Sequence, residues 1–266
     1  MNHKQLLPEV AKIAQLAAEA ILSVYRRDFD VEQKDDESPL TAADMAAHHV
    51  IVDGLARLTP GWPVLSEESA SVDFEQRRQW SRYWLVDPLD GTREFVKRNG
   101  EFTVNIALIE DHEPVLGVVQ VPVDGRCFRA AGGEASLLDA DGSERPLRCV
   151  KPDTVVRVAG SRSHGSSEVG AYLQKLGEHE LIARGSSLKF CEIAQGSADL
   201  YLRLGPTCEW DTAAAHCVLK AAGGDVLDLQ GRPLRYNTKD SLLNPEFLAV
   251  ADPQTDWLER MGLGER

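Results

Sequence analysis

The chain opens on a helical rhythm. Leu6, Val10, Ile13, Ala17, Ile21 and Val24 recur three or four positions apart, with Glu9, Lys12 and Glu19 between them, which predicts an amphipathic helix from Lys4 to Tyr25. A second helix is predicted after Ser38-Pro39, from Thr41 past Ile51 and Leu55 to Leu58. Then the period shortens. β-like runs follow at Val64-Leu65, Tyr83 to Val86, Phe102 to Ile109, Val115 to Val121 and Cys127 to Ala131, punctuated by Gly, Asp and Pro. The first half therefore reads as two helices against a largely antiparallel sheet.

From Asp139 to Asp153 the sequence turns polar, which predicts a boundary or a long surface connection. Beyond it, strands and helices alternate. Strands are expected at Val155 to Ala159, Leu181 to Ala183, Asp199 to Leu202 and Phe247 to Ala251, and helices at Ser167 to Leu176, Leu188 to Gln195 and Thr212 to Ala222, the last closed by Gly223-Gly224. The fold class expected is α/β in the layered α+β sense, with two closely packed halves, 1–150 and 151–266.

With 266 residues and 43% hydrophobic content, the chain can bury a core without a disulfide or structural metal. Forty-two acids against 29 bases give a formal charge of −13, which argues against a nucleic acid polymer or anionic lipid as partner. An acidic protein that handles an anion must gather cations at one place. The five cysteines are an odd number without metal-ligand spacing, and no apolar run reaches membrane-spanning length. Together they predict the cytoplasm and a monomer or homodimer.

Asp87-Pro88-Leu89-Asp90-Gly91-Thr92 follows the apolar run Trp84-Leu85-Val86, so two carboxylates are expected just past the carboxyl end of a buried strand. Pro88 stiffens the turn, Gly91 permits an unusual backbone angle, and the Leu89 carbonyl can face the same space. Such a turn can supply the hard oxygens that Mg²⁺ takes, although a hexapeptide of this kind is as readily a surface turn. Ser66-Glu67-Glu68-Ser69 adds two acids at another strand end, where adjacent acids are ordinarily solvated. Asp211 suits the N-cap of the following helix, and Asp44 the third helical position behind Thr41. A cap also aims a carboxylate, so these roles leave chemistry open.

Ser161-Arg162-Ser163-His164 follows the strand expected at Val155 to Ala159. Gly185-Ser186-Ser187-Leu188-Lys189 opens a helix, and its hydroxyls and N–H groups read as an anion site. Lys189 adds a point charge, and Arg203 can fork onto phosphate. The alternative is a solvated Lys189 and an Arg203 in a surface ion pair.

Jointly and in this order, the Glu67-Glu68 pair, the Asp87 to Thr92 hexapeptide and the Trp210-Asp211-Thr212-Ala213-Ala214-Ala215-His216 segment resemble the metal-site motifs of the inositol-monophosphatase superfamily. The likeness extends from Thr41-Ala42-Ala43-Asp44 to the final strand. It implies a layered αβαβα fold and a phosphomonoesterase that uses two or three Mg²⁺ ions. Glu67, Asp87 and the Leu89 carbonyl would hold one ion, and Asp87, Asp90 and Asp211 a second. Thr92 and Asp44 would align and deprotonate the attacking water, with Glu67 among the catalytic groups and Glu68 in support. The backbone from Gly91 through Thr92 and Arg93 to Glu94 would hold the scissile phosphate. The family also implies inhibition by Li⁺.

Within the superfamily, Tyr83 to Ile109 and Gly185 to Arg203 resemble the bacterial branch that dephosphorylates nucleotide bisphosphates in sulfate assimilation. That likeness implies adenosine 3′,5′-bisphosphate as substrate, with phosphoadenylyl sulfate as a related one. It makes His164, Ser186, Lys189 and Arg203 contacts to the nucleotide and its second phosphate. Similar bacterial enzymes add a peripheral place on the inner membrane face, which the acidic charge does not support. An inositol or sugar-phosphate phosphatase of the same superfamily would have less use for this basic group. A non-catalytic nucleotide or metal sensor would have lost some of Glu67, Asp87, Asp90, Thr92 and Asp211. Neither a G-x-S-x-G elbow nor a P-loop is present.

Overall fold

The computed structural model describes residues 2–26, 39–161 and 167–263. Helix α1 (His3–Tyr25) begins with a reciprocal cap, in which Asn2 accepts from the Gln5 N–H and the Gln5 side chain from that of Asn2. Helix α2 (Pro39–Leu58) starts at its proline, whose fixed φ suits a first turn. The two pack on each other, and their apolar faces (Leu6, Val10 and Ile21 with Ile51 and Leu55) meet Trp84, Ile106 and Val118.

Next come β1 (Val64–Ser66), a 3₁₀ turn at Glu67–Ser69, α3 (Phe74–Arg77), β2 (Arg82–Asp90), α4 (Thr92–Val96), β3 (Thr103–Glu110), β4 (Glu113–Gln120), β5 (Cys127–Ala131), β6 (Glu134–Leu138) and β7 (Glu144–Pro146). They form one sheet in sequence order. Only its first pair, β1 with β2, is parallel. Part of the polar stretch expected to be a connection is β7, which pairs with β6 and extends this sheet.

The second sheet holds β8 (Val156–Gly160), β9 (His179–Ala183), β10 (Leu200–Arg203), β11 (Asp225–Asp228) and β12 (Phe247–Val250), in the order β11-β12-β10-β8-β9. Strand β11 was not legible in the sequence, because a charged residue closes each end of a four-residue run. Between and after the strands lie α5 (Ser167–Lys175), α6 (Leu188–Ala194), α7 (Glu209–Ala221) and α8 (Trp257–Met261). Helices α6 and α7 fill the space between the sheets. Leu85, Val119 and Phe128 of the first sheet share one cluster with Phe190, Val218, Phe247 and Ala249. Leu173 of α5 and Trp257 and Met261 of α8 pack on the outer face of the second sheet. The layers thus run α, β, α, β, α. Close approach of α7 depends on Gly117, where a β-carbon would lie 2.3 Å from the Ala214 carbonyl oxygen. Among the described residues no helix is long and apolar enough to cross a membrane.

Candidate active site

Strand register gathers the acids. Because β1 and β2 run parallel with Ser66 opposite Val86, Glu67 and Asp87 leave neighbouring strands side by side. Asp87 and Asp90 are three residues apart and in a regular strand would point to opposite faces. Here β2 runs on to Asp90, beyond the expected end at Val86, and carries a register shift between them: Asp87 pairs with Asn105 and Asp90 with Thr103. Asn105 and Thr103 are two apart on β3, so both carboxylates come to one face. Proline is tolerated at the shift because no ladder N–H is required there. Gly91 then turns the chain with a φ of 100°.

Asp211 arrives from the other side. The structure corrects its expected role, since Cys208 is the N-cap of α7 and Asp211 is its third residue, accepting from the Cys208 N–H at 2.9 Å. Packing of α7 across the first sheet brings one carboxylate oxygen each of Glu67, Asp87 and Asp211 within 4.8 Å of one another. Asp44, unlike Asp211, takes no capping position. It lies in the second turn of α2, 8% exposed, and its Oδ1 is among the described buried atoms without a hydrogen-bond partner.

These acids oppose one another. Burial, then Asp90 and Glu67, raises Asp87 well above the usual carboxylate range. Burial, then Asp90, pushes Asp211 up to about 7. Burial and then the charge of Glu68 push Asp44 up to about 8. Glu67 moves the same way, through burial of its carboxyl end and the charges of Glu68 and Asp90, although the residue as a whole reaches the surface. A cluster of hard oxygen donors that disfavour their own ionisation fits a divalent cation such as Mg²⁺.

The Gly185 to Lys189 turn faces this cluster with donors. Asp90 Oδ2 accepts from the Ser186 hydroxyl at 2.7 Å, the Ser187 N–H at 2.7 Å, the Ser187 hydroxyl at 2.9 Å and Asn105 Nδ2 at 3.5 Å. The donors of this turn hold an anion that is a side chain of the protein. Asp90 is accordingly the one acid of the hexapeptide that stands outside the three-carboxylate group.

Lys189 is buried, at 7% exposure, rather than solvated. Its Nζ donates to the Ser186 carbonyl at 2.6 Å and lies 5.3 Å from the centre of the Tyr201 ring. Burial lowers its pKa to about 8, against the pull of Asp90. Arg203 spends Nε on the Gly205 carbonyl at 3.1 Å and Nη2 on that of Pro206 at 2.9 Å. Both cations line one cleft of about 1210 Å³ with Asp90, Gly91, Thr92, Arg93, Glu94, Ser186 and Asp211. Thr92, exposed, opens α4, which packs on α2. His164 lies outside the described residues.

Three residues of the site went unread in the sequence, and a fourth, Ser187, was read as part of an anion-binding helix start but not as a partner of Asp90. Asn105 and Thr103 are fully buried polar positions in a mostly apolar strand, and that contrast was the available signal. His48, one turn after Asp44, meets Ser66 Oγ at 2.9 Å and ties α2 to the strand end that delivers Glu67.

Residues 3–256 match the sequence profile of the inositol monophosphatase family. The chain is 53% identical over 245 residues, 91% of its length and 98% of the relative's, to the 3′(2′),5′-bisphosphate nucleotidase CysQ of Escherichia coli K12. It is 35% identical over 264 residues, 96% of each chain, to the protein of the same name from Haemophilus influenzae. Among solved structures it resembles CysQ from Bacteroides thetaiotaomicron, described as a bacterial member of the inositol monophosphatase family, with a TM-score of 0.84 at 42% identity over 91% of this chain and 96% of that one.

Proposed function

The chain belongs to the inositol monophosphatase family, and we infer that it is a 3′(2′),5′-bisphosphate nucleotidase, a phosphoric monoester hydrolase that converts adenosine 3′,5′-bisphosphate to AMP and phosphate. One observation carries the choice of substrate: a single cleft joins the acidic turn and Asp211 to two cations, Lys189 and Arg203. A substrate with a phosphate to lose and a second to keep uses both ends.

Phosphatases of this family generally use Mg²⁺, and the acid cluster fits it. Glu67, Asp87 and the Leu89 carbonyl would hold one ion and Asp87, Asp90 and Asp211 a second. Bound there, Mg²⁺ offsets charge on the phosphoryl oxygens and the leaving alkoxide and acidifies a water. The chain's own groups do the rest. Backbone N–H groups from Gly91 to Glu94 hold the scissile phosphate. Thr92 and Asp44 orient the water, and Asp44 Oδ1 takes its proton while Glu68 steadies the carboxyl. Lys189, Arg203 and Ser186 grip the phosphate that stays, and the family likeness adds His164 to them. Five free thiols support a reducing cytoplasm.

The test is phosphate release with Mg²⁺ from adenosine 3′,5′-bisphosphate beside inositol 1-phosphate and phosphoadenylyl sulfate. Higher kcat/KM for the nucleotides than for the inositol phosphate is expected. A preference for inositol 1-phosphate overturns the substrate assignment.

A further inference from the structure

Ser187 stands at the N-cap of α6, where serine ordinarily accepts from a backbone N–H of its own helix. It makes no such bond. Its side chain is 1% exposed and turned instead to three partners from three other elements. Its Oγ lies 2.9 Å from Asp90 Oδ2 at the end of β2, 2.8 Å from the carbonyl oxygen of Asp211 on α7 and 2.9 Å from Asn105 Nδ2 on β3. A hydroxyl has one hydrogen, so it donates to one of the two acceptors at a time and accepts from Asn105. The Ser187 N–H adds a second bond to the same Asp90 oxygen. Ser186 adds a third, and its own Oγ is backed by Thr103 Oγ1 at 2.6 Å.

We propose that Ser187 is a positioning residue for the phosphatase centre: it fixes the rotamer of Asp90 through Oδ2, leaves Oδ1 as the oxygen not taken by the turn, and ties that carboxylate to the backbone that carries Asp211. One buried hydroxyl thereby stands within reach of the Asp90 carboxylate and of the Asp211 backbone, which arrive on different layers. The role rests on the functional reading above only in supposing that Asp90 and Asp211 serve the reaction.

The test compares wild type, Ser187→Ala, Asp90→Asn and the double variant. Second-layer partners of a metal site typically account for roughly 10–100-fold in metal affinity or activity. Ser187→Ala is therefore expected to lower kcat/KM for adenosine 3′,5′-bisphosphate by about tenfold or more, mainly through kcat. In a melting titration without substrate, it should need about tenfold more Mg²⁺ to reach half of the stabilisation by the ion. In the Asp90→Asn background Ser187→Ala should add little, since its route of action is already removed. Asn105→Ala, which deletes the third partner of the same hydroxyl, should shift the Mg²⁺ midpoint in the same direction and covers the case in which Ser187→Ala does not fold.

An unchanged Mg²⁺ midpoint with a lowered metal-free Tm would make Ser187 a packing residue and overturn the proposal. Additive losses in the double variant would do the same. If the wild type releases no phosphate from the nucleotide, the functional reading fails, while the Mg²⁺ titration still decides the role of Ser187.

Discussion

The two turns of the cleft, residues 87–92 and 185–189, differ in how far the charge they gather is compensated. In and around the first, Asp87, Glu67 and Asp211 crowd one another, and each carboxyl is pushed upward by burial and by its neighbours. In the second, the hydroxyls of Ser186 and Ser187 and the Ser187 N–H all find partners at 2.6–2.9 Å. The crowded acids suit a cation, and the donor turn compensates one of them, Asp90. Asp90 belongs to both, as a member of the first turn whose Oδ2 is filled by the second.

The sharpest way to break this picture is at that shared residue. Asp90→Asn removes a charge without changing volume, and it also puts an amide where Oδ2 accepts its bonds. We expect the variant to stay folded by circular dichroism and to lose on the order of a thousandfold in kcat/KM, about 4 kcal/mol. Near-wild-type turnover at saturating Mg²⁺ would remove Asp90 from the reaction.

A smaller effect separates the basic wall from the acidic one. If Lys189 and Arg203 grip the retained phosphate, Lys189→Ala/Arg203→Ala should lose on the order of a hundredfold or more in kcat/KM for adenosine 3′,5′-bisphosphate, since each charge-assisted contact contributes roughly 1.5–3 kcal/mol. A small monophosphate should be affected far less. Equal losses on both substrates would assign the two residues to the fold.

Smaller again is the effect of pushing the turns apart. A β-carbon at Gly185 would lie 2.5 Å from Glu94 Cγ and 2.8 Å from the Glu101 carbonyl oxygen. Gly185→Ala is expected to cost about 2 kcal/mol, lowering Tm by about 4–8 °C in a chain of this size. A Tm within a degree of wild type would mean that the two walls are not in tight contact.

The smallest effect concerns Lys189 as a buried cation. Its folded pKa, lowered to about 8 by burial against Asp90, lies below the unfolded value of about 10.4. The penalty on the folded state is therefore full below about pH 8 and disappears as pH rises toward the unfolded value, where the unfolded chain binds the proton that the folded chain has released. Lys189→Met should melt higher than wild type at pH 6.5 in the absence of Mg²⁺ and substrate, by on the order of 1 kcal/mol. The gap should narrow by pH 9.5. A gap that widens with pH would show that the ammonium stabilises the fold.

Much of the site was readable before the structure because it is written in local patterns. The hexapeptide, the Glu67-Glu68 pair and Asp211 each sit at the end of an apolar run or the start of a helix. Helices α1, α2, α5, α6 and α7 and most strands followed from periodicity, α1 over nearly its whole length, whereas the short α3, α4 and α8 did not. Where the reading failed, contacts distant in sequence decided. The polar stretch after Asp139 became β7 because β6 offered an unpaired edge. Asp211 moved from cap to third helical residue because Cys208 took the cap.

What the sequence by itself determined is the inventory: four acids, a threonine and two cations in an order that fits phosphate chemistry, on segments whose periodicity makes them strand ends and helix starts. Tertiary structure alone decided the assignments among them. A one-residue register shift in β2 sets Asp87 and Asp90 on one face, and the serine turn of α6 reaches an acid 96 residues earlier in the chain. The reason is physical: propensity and period act over a few neighbours, whereas a donor turn binds whichever anion packing delivers to it. Which anion that is depends on how two sheets close over α6 and α7.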